Sequence, residues 1–345
     1  MLRVEKCRFR EVSSMSDQNK DVNTHQHHHK HHHRHRRLKR FRNVIIGILV
    51  ILAVGAAGYS AYAWHKLSET SKVIYKSAGA PKLRKASTVI DKTKPVSILL
   101  LGTDTGSLGR SYKGRTDTII VMTINPKTKK TVMMSLPRDM EVNLPDYPNY
   151  SPAKINAAYV YGGTKETIST VQKYLNVPVD YYFMINMGGL KKAINKVGGV
   201  DVTSPLTFTY NGSSFKKGKT THMNGNTALN FARMRHEDPQ GDYGRQTRQR
   251  LVISALMKKS ISYKTVLNSD FLMAISDEMQ TDLTRSQMIK LAMSYRDAGK
   301  NVKSDHVQGS GQMIGGQSFE VVSATERIRA SNELRANLDL KQVNY

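Results

Sequence analysis

The run VIIGILVILAVGAAGYSAYAW, from Val44 to Trp64, is an uncharged stretch of about 21 residues, enough to cross roughly 30 Å of hydrocarbon as a helix. A folded domain cannot thread through such a segment, so the chain is divided into a part before it and a part after it. Tyr59, Tyr62 and Trp64 at its end suit an aromatic interface belt. It is too long, and lacks the small-x-small cleavage site, for a cleaved signal peptide. A cleaved leader and a buried soluble helix are the alternatives to a retained anchor. Arg34, Arg36, Arg37, Lys39, Arg40 and Arg42 sit before the run, and Lys66, Lys72 and Lys76 follow it more sparsely. The denser side stays inside. The expectation is a single-pass cell-membrane protein with a cytoplasmic N-terminus and an extracellular main domain.

Formal net charge is +26 over 345 residues, which favours polyanionic partners. Roughly +8 falls in residues 1–43, leaving about +18 for the outer part. An outer position makes nucleic acid an unexpected partner. Anionic lipid of the bilayer and acidic polymers remain. The single cysteine, Cys7, excludes an intramolecular disulfide framework. The histidine-rich tract His25–Arg37 reads either as a metal-binding tract or as a disordered polybasic patch on the inner leaflet, and the second reading is preferred. Met15 opens a polar segment that can serve as an alternative start.

Beyond the span, residues 65–94 read as a lysine-rich stalk. A domain is expected over 95–322, followed by a polar tail at 323–345 with weak helical character. VSILLLG (Val96–Gly102), TIIVMTI (Thr118–Ile124), KTVMMSL (Lys130–Leu136) and YYFMINM (Tyr181–Met187) are continuous apolar runs, the mark of buried strands. NPKTK between the second and third reads as a hairpin turn. Helical spacing recurs in KETISTVQKYL, GLKKAINKVGG, TALNFARMR, GRQTRQRLVISALMKKS and SQMIKLAMSYRDA. Strands and helices intermix, so the fold class is α/β: a mixed central β-sheet flanked by helices in α-β-α layers, preceded by one transmembrane helix.

Chemistry-bearing residues cluster at strand ends. Asp104 follows the first strand, Arg115 and Asp117 precede the second, and Arg138 and Asp139 follow the third. Antiparallel pairing of the first two strands, with a hairpin between the second and third, gathers them at one rim. The run FARMRHEDPQGDYGRQTRQR, Phe231–Arg250, adds Arg233, Arg235, Arg245, Arg248 and Arg250. Guanidinium forks match phosphate oxygens two at a time. Two carboxylates beside several arginines are a device for Mg²⁺ and a pyrophosphate. Arg245, Arg248 and Gln249 share a helical face at the start of a helix near Gly244, where the helix N-terminus itself favours anions. Each residue also has an ordinary reading, as a turn cap, a surface ion pair or a solvated side chain. Lys154 and Asp242 are weaker candidates, and Asp242 can instead brace an arginine.

LLLGTD, GRTDTIIVMTINP, MSLPRDM, KINAAYVYGG, VGGVDV and ALNFARMRHEDPQGDYGRQTRQR, in this order, resemble the LytR-CpsA-Psr family. The resemblance covers about Val96 to Ala298. It implies transfer of an anionic glycopolymer, of wall teichoic acid or capsule type, from a polyprenyl-pyrophosphate carrier to peptidoglycan, with the lipid in an apolar tunnel. By position, Asp104 and Asp117 would hold Mg²⁺, with Mn²⁺ the alternative ion. Arg115, Arg138, Arg233, Arg235, Arg245, Arg248 and Gln249 would contact the pyrophosphate and headgroup. Asp117, Arg138 and Arg235 are the expected catalytic residues. A pyrophosphatase, a polyanion-binding scaffold and a transcriptional attenuator are the competing readings.

Overall fold

The computed structural model describes residues 54, 55, 58, 74–103, 114–260 and 275–344. The expected tail at 1–43, nearly all of the expected span at 44–64, and Asp104 lie outside them. Among the described residues no helix is long and apolar enough to cross a membrane.

A short helix α1 (Ala86–Asp91) precedes strand β1 (Val96–Thr103), which pairs antiparallel with β2 (Thr116–Asn125); β2 turns into β3 (Lys130–Ser135), also antiparallel. The hairpin forms at NPKTK as expected. Asn125 Oδ1 accepts the amides of Lys127 and Thr128 at 3.0 and 3.2 Å, and Lys129 takes a positive φ of 54°. A small pair, β4 (Glu141–Val142) and β5 (Ala153–Lys154), leads into helix α2 (Ala158–Leu175) and strand β6 (Tyr181–Asn186). Strand β6 runs parallel to β1.

A second packing unit follows: α3 (Met187–Lys196), β7 (Val200–Thr203), β8 (Phe208–Tyr210), β9 (Ser213–Phe215), β10 (Thr220–Met223) and α4 (Gly225–Arg233). The long helix α5 (Asp242–Ser260) returns to the main sheet. Strand β11 (Met279–Thr281), helix α6 (Arg285–Ser294) and strand β12 (Val302–His306) come next, then the hairpin β13 (Ser310–Ile314) and β14 (Gln317–Val321), and finally α7 (Ala324–Asn337). The main sheet is six-stranded and mixed, in the order β11-β6-β1-β2-β3-β12.

Alternation along the strands divides the core into two layers. Leu99, Leu101, Ile119, Val121, Val132 and Met134 face α2 and α7. Ile98, Ile120, Met122 and Met133 face the other way, toward α1, α5 and α6. Both faces are covered, which is why the strands read as unbroken apolar runs rather than as alternation. The covering is uneven. Leu99 and Leu101 are 0% and 2% exposed, whereas Leu100, Phe183, Ile253, Met257, Met288 and Leu291 on the second face keep part of their apolar surface open.

Two expected boundaries need correction. The stretch assigned as stalk packs from Ile74 onward: Ile74 is fully buried, Lys76 N donates to Thr281 O at 2.8 Å, and Arg84 pairs with Asp180 at 2.5 Å. The stretch assigned as a polar tail is largely α7, which lies in the first core layer. Its apolar stripe is only Ala330, Leu334 and Leu338, one residue per turn, too thin to stand out among charges. Polar side chains complete the docking. Buried Ser331 donates to Leu175 O, and Asn337 Nδ2 donates to Thr123 O at 2.9 Å.

Since α7 belongs to the core, Leu334→Ala is expected to lower unfolding free energy by about 2–5 kcal/mol. Denaturant titration measures it; a change within error would mean that the helix is an appendage after all.

Candidate active site

The rim where β1 ends and β2 begins carries the site. The register slips there: Gly102 pairs with Thr118 and Thr103 with Thr116, leaving Asp117 as the extra residue of a β-bulge. Gly102 permits the close pairing, because a Cβ there would lie 2.8 Å from Thr118 Cβ. The bulge frees Asp117 from the ladder and turns it toward the segment after β3, where Leu136 and Pro137 deliver Arg138.

Arg138 Nη1 donates to Asp117 Oδ1 at 3.1 Å, and its Nε lies 3.5 Å from Asp139 Oδ2 and 3.7 Å from Asp242 Oδ1. That buried Nε makes no hydrogen bond among the described residues. Burial works against the Arg138 charge, but Asp117, Asp242 and Asp139 outweigh it and raise its pKa. Asp242, in the first turn of α5, accepts from Arg245 Nε at 2.9 Å, Arg245 Nη2 at 3.0 Å and Gln246 Nε2 at 3.0 Å. Arg245 Nη1 in turn donates to Asp117 O at 3.1 Å. Asp117, Arg138, Asp242 and Arg245 therefore close a ring that ties the β2 bulge to the start of α5. Burial opposes the Asp242 charge, and Arg245, Gln246 and Arg138 overcome that and hold its pKa below the ordinary value. Its stabilising contribution is full above about pH 4 and is lost as pH falls through the depressed value. Beside the ring, Lys154 Nζ pairs with Asp139 Oδ1 at 2.9 Å.

A cleft of about 390 Å³ opens over this ring, lined by Arg138, Asp139, Arg235, His236, Asp238, Gly241 and Asp242. Among the described residues, the side chains of Arg115, Arg233, Arg235 and Gln249 have no hydrogen-bond or ion-pair partner. Arg115 is exposed, the other three are half-buried, and of the four only Arg235 lines the cleft. Asp104 is outside the described residues.

Arg248 sits elsewhere than the sequence suggests. It is fully buried beneath the cleft, not on its wall. Its Nε donates to Phe231 O at 2.9 Å, its Nη1 pairs with Asp238, its Nη2 bonds Met234 O, and its guanidinium lies 5.2 Å from the Phe208 ring centroid. Helical spacing puts Arg245 and Arg248 on one face, but that face points into protein. Arg248 carries the 231–238 loop instead, holding it from below. Gly244 makes room for this, since a Cβ there would strike the Asp238 carboxylate. Arg250 is buried too, with Ser304, Ser135 and Thr247 hydroxyls as acceptors at 2.6, 2.7 and 3.1 Å, and burial pulls its pKa down to about 10.

The residues least evident from sequence are His236 and Asp238 on the cleft wall, whereas Asp242, a weaker candidate, braces Arg245 as its alternative reading has it. Asp139 and Lys154 were visible beside stronger motifs, but their pairing needed the β4–β5 contact to bring them together.

A family model, the LytR_cpsA_psr family, matches residues 61–336. A polyisoprenyl-teichoic acid–peptidoglycan teichoic acid transferase, TagU of Enterococcus faecalis, is 41% identical over 304 residues, covering 88% of this chain and 99% of the relative. The enzyme of the same name from Bacillus subtilis is 36% identical over 307 residues, covering 88% and 98%. The crystal structure of B. subtilis TagV superposes with a TM-score of 0.62 at 34% identity, covering 72% of this chain and 98% of that one.

The two classes of arginine are expected to part in a stability measurement. Arg248→Ala strands the Asp238 charge and two carbonyls in the interior and should lower stability by about 3–5 kcal/mol. Arg235→Ala should leave the denaturation midpoint unmoved. Equal midpoints for both variants would refute the division.

Proposed function

The chain belongs to the LytR-CpsA-Psr family, and we propose that it transfers an anionic glycopolymer, of wall teichoic acid or capsule type, from a polyprenyl-pyrophosphate carrier to peptidoglycan. The observation that carries this is the cleft lined by Arg235 and by Arg138, which belongs to a ring of carboxylates and guanidiniums at its base. Such a site is built to hold a pyrophosphate rather than to supply a covalent nucleophile. Phosphoryl transfer asks for positioning and dispersal of charge above all.

In this reading an acceptor hydroxyl of peptidoglycan attacks the phosphorus that carries the sugar. A new phosphorus–oxygen bond forms there, the pyrophosphate bridge breaks, and polyprenyl phosphate leaves with the bond's electron pair. The hydroxyl proton passes to a carboxylate, Asp117 or Asp104. Arg138 and Arg235 neutralise the non-bridging oxygens, and Arg115, Arg233 and Gln249, which do not line the cleft itself, would contact the headgroup beyond it. Arg245 and Arg248 serve by position: one holds the Asp117 backbone, the other the loop that carries Arg235.

Asp117 fits a hard divalent cation. One of its carboxylate oxygens is held by Arg138, and the other has no partner among the described residues. Magnesium beside one or two carboxylates takes its remaining ligands from phosphate and water. Mg²⁺, or Mn²⁺ in its place, would be held by Asp117 and Asp104 and would neutralise pyrophosphate charge when bound. Leu100, Phe183, Ile253, Met257, Met288 and Leu291 are half-buried against the second core layer, and the proposal puts the lipid chain beside them. The proposal includes a single-pass anchor at 44–64, a cytoplasmic N-terminus and an extracellular catalytic domain.

The full chain in detergent, given a synthetic polyprenyl-pyrophosphate sugar, Mg²⁺ and peptidoglycan fragments, is expected to yield a phosphodiester-linked product. Release of sugar phosphate with no coupled product would favour hydrolysis instead. Arg138→Ala should lose about 10²–10³-fold in turnover while remaining folded. Excess chelator should abolish turnover, and unchanged activity in chelator would remove the metal from the scheme.

A further inference from the structure

The unit built from α3 to α4 is basic well beyond the needs of the cleft. Residues 187–235 hold six lysines and two arginines against one carboxylate, Asp201. Asp201 is already engaged, accepting from His222 Nδ1 at 2.8 Å and pairing with Lys259 at 3.5 Å. Lys192 pairs with Glu278 at 2.9 Å. Lys196, Lys216, Lys217 and Lys219 are exposed and meet no carboxylate among the described residues. No fold requirement explains this imbalance, because the unit's core is apolar and complete: Phe208, Phe215 and Phe231 stack at 4.8–5.8 Å over Val200, Val202 and Met223.

The lysine turn and the cleft loop share that core. Lys216 and Lys217 follow Phe215, whose ring centroid is 5.1 Å from that of Phe231. Phe231 lies two residues before Arg233 and four before cleft-lining Arg235. Phe208, stacked on Phe215, lies under the Arg248 guanidinium that holds the cleft loop. The turn that joins β9 to β10 and the segment that carries Arg233 and Arg235 are thus both built on one aromatic core.

We infer that the Lys216–Lys219 turn is a second binding site, a ledge that takes the repeating phosphodiesters of the donor polymer as it leaves the cleft. This rests on the transfer reading of the cleft. The residue types agree with the division of labour. Arginine forks fix one pyrophosphate in one geometry, whereas lysine is a flexible point charge that can follow successive phosphates of a mobile chain. Membrane headgroups would also attract lysines, but a surface that rests on a bilayer ordinarily adds apolar anchors. None of the exposed large hydrophobic residues lies between 187 and 235.

The test compares the full chain with its Lys216→Ser/Lys217→Ser/Lys219→Ser variant, both in nanodiscs of phosphatidylcholine or phosphatidylglycerol. Binding of long poly(glycerol phosphate) should weaken about tenfold or more in the variant, while turnover of a single-repeat donor stays unchanged. Replacing the same three lysines by arginine should restore binding, showing that charge and not folding was lost. Full affinity for the long polymer in the serine variant overturns the inference. So does a variant that loses only its preference for phosphatidylglycerol discs, which would mark a membrane surface. A wild-type chain inactive on both long and single-repeat donors overturns the transfer reading itself, and the ledge's role with it.

Discussion

The ring formed by Asp117, Arg138, Asp242 and Arg245 is the interaction on which the site depends. Its members come from three separate elements: the bulge of β2, the segment beyond β3 and the first turn of α5. None of them is held in place by packing alone. Arg245 reaches a backbone oxygen of the bulge with one nitrogen and a carboxylate with two others, so that it fixes the distance between strand and helix. Charge-assisted bonds of this kind are directional as well as strong. The ring therefore sets both the aim of Arg138 and the field in which it works.

Burial separates the arginines by task. Arg248 and Arg250 are 0% and 3% exposed, and their partners are main-chain carbonyls, hydroxyls and one carboxylate. A buried guanidinium with satisfied donors acts as a rigid cross-link, and little of it remains for a ligand. Arg235 stands over the cleft with no partner among the described residues. In the transfer reading, the charge that binds substrate is thus supported by charge that does not. Such a layered arrangement keeps Arg235 from being neutralised by the carboxylates of Asp238 and Asp242, which are already paired with Arg248 and Arg245.

Much of this was legible in the sequence. The four long apolar runs became β1, β2, β3 and β6, and the NPKTK turn formed where expected, because burial on both faces leaves an unmistakable pattern. Convergence of Asp117 with Arg138 followed from the antiparallel hairpin of β2 and β3. The sequence was less informative where one thin stripe or one polar side chain decides the packing. Helix α7 docks through Ala330, Leu334 and Leu338 with Ser331 and Asn337, a pattern that charge on its other faces conceals. Arg248 was grouped with Arg245 by a periodicity that correctly reports a shared face. Periodicity does not say whether that face meets a cleft or a loop folded beneath it.

The choice between arginine and lysine along the basic surface follows from the same physics. At the ring, each guanidinium faces two or three oxygen-bearing partners at once, and a lysine there would satisfy only part of the set. Arg245 illustrates this, since its three nitrogens serve Asp242 and Asp117 O at once. On the ledge, by contrast, Lys216, Lys217 and Lys219 flank Gly218 at a positive φ of 75°, in a tight turn exposed to solvent. Side chains on such a turn fan outward and cannot share one planar acceptor. A surface of that shape suits diffuse attraction toward a moving polyanion. The buried ring suits a single bound geometry, and the chain places the two residue types accordingly.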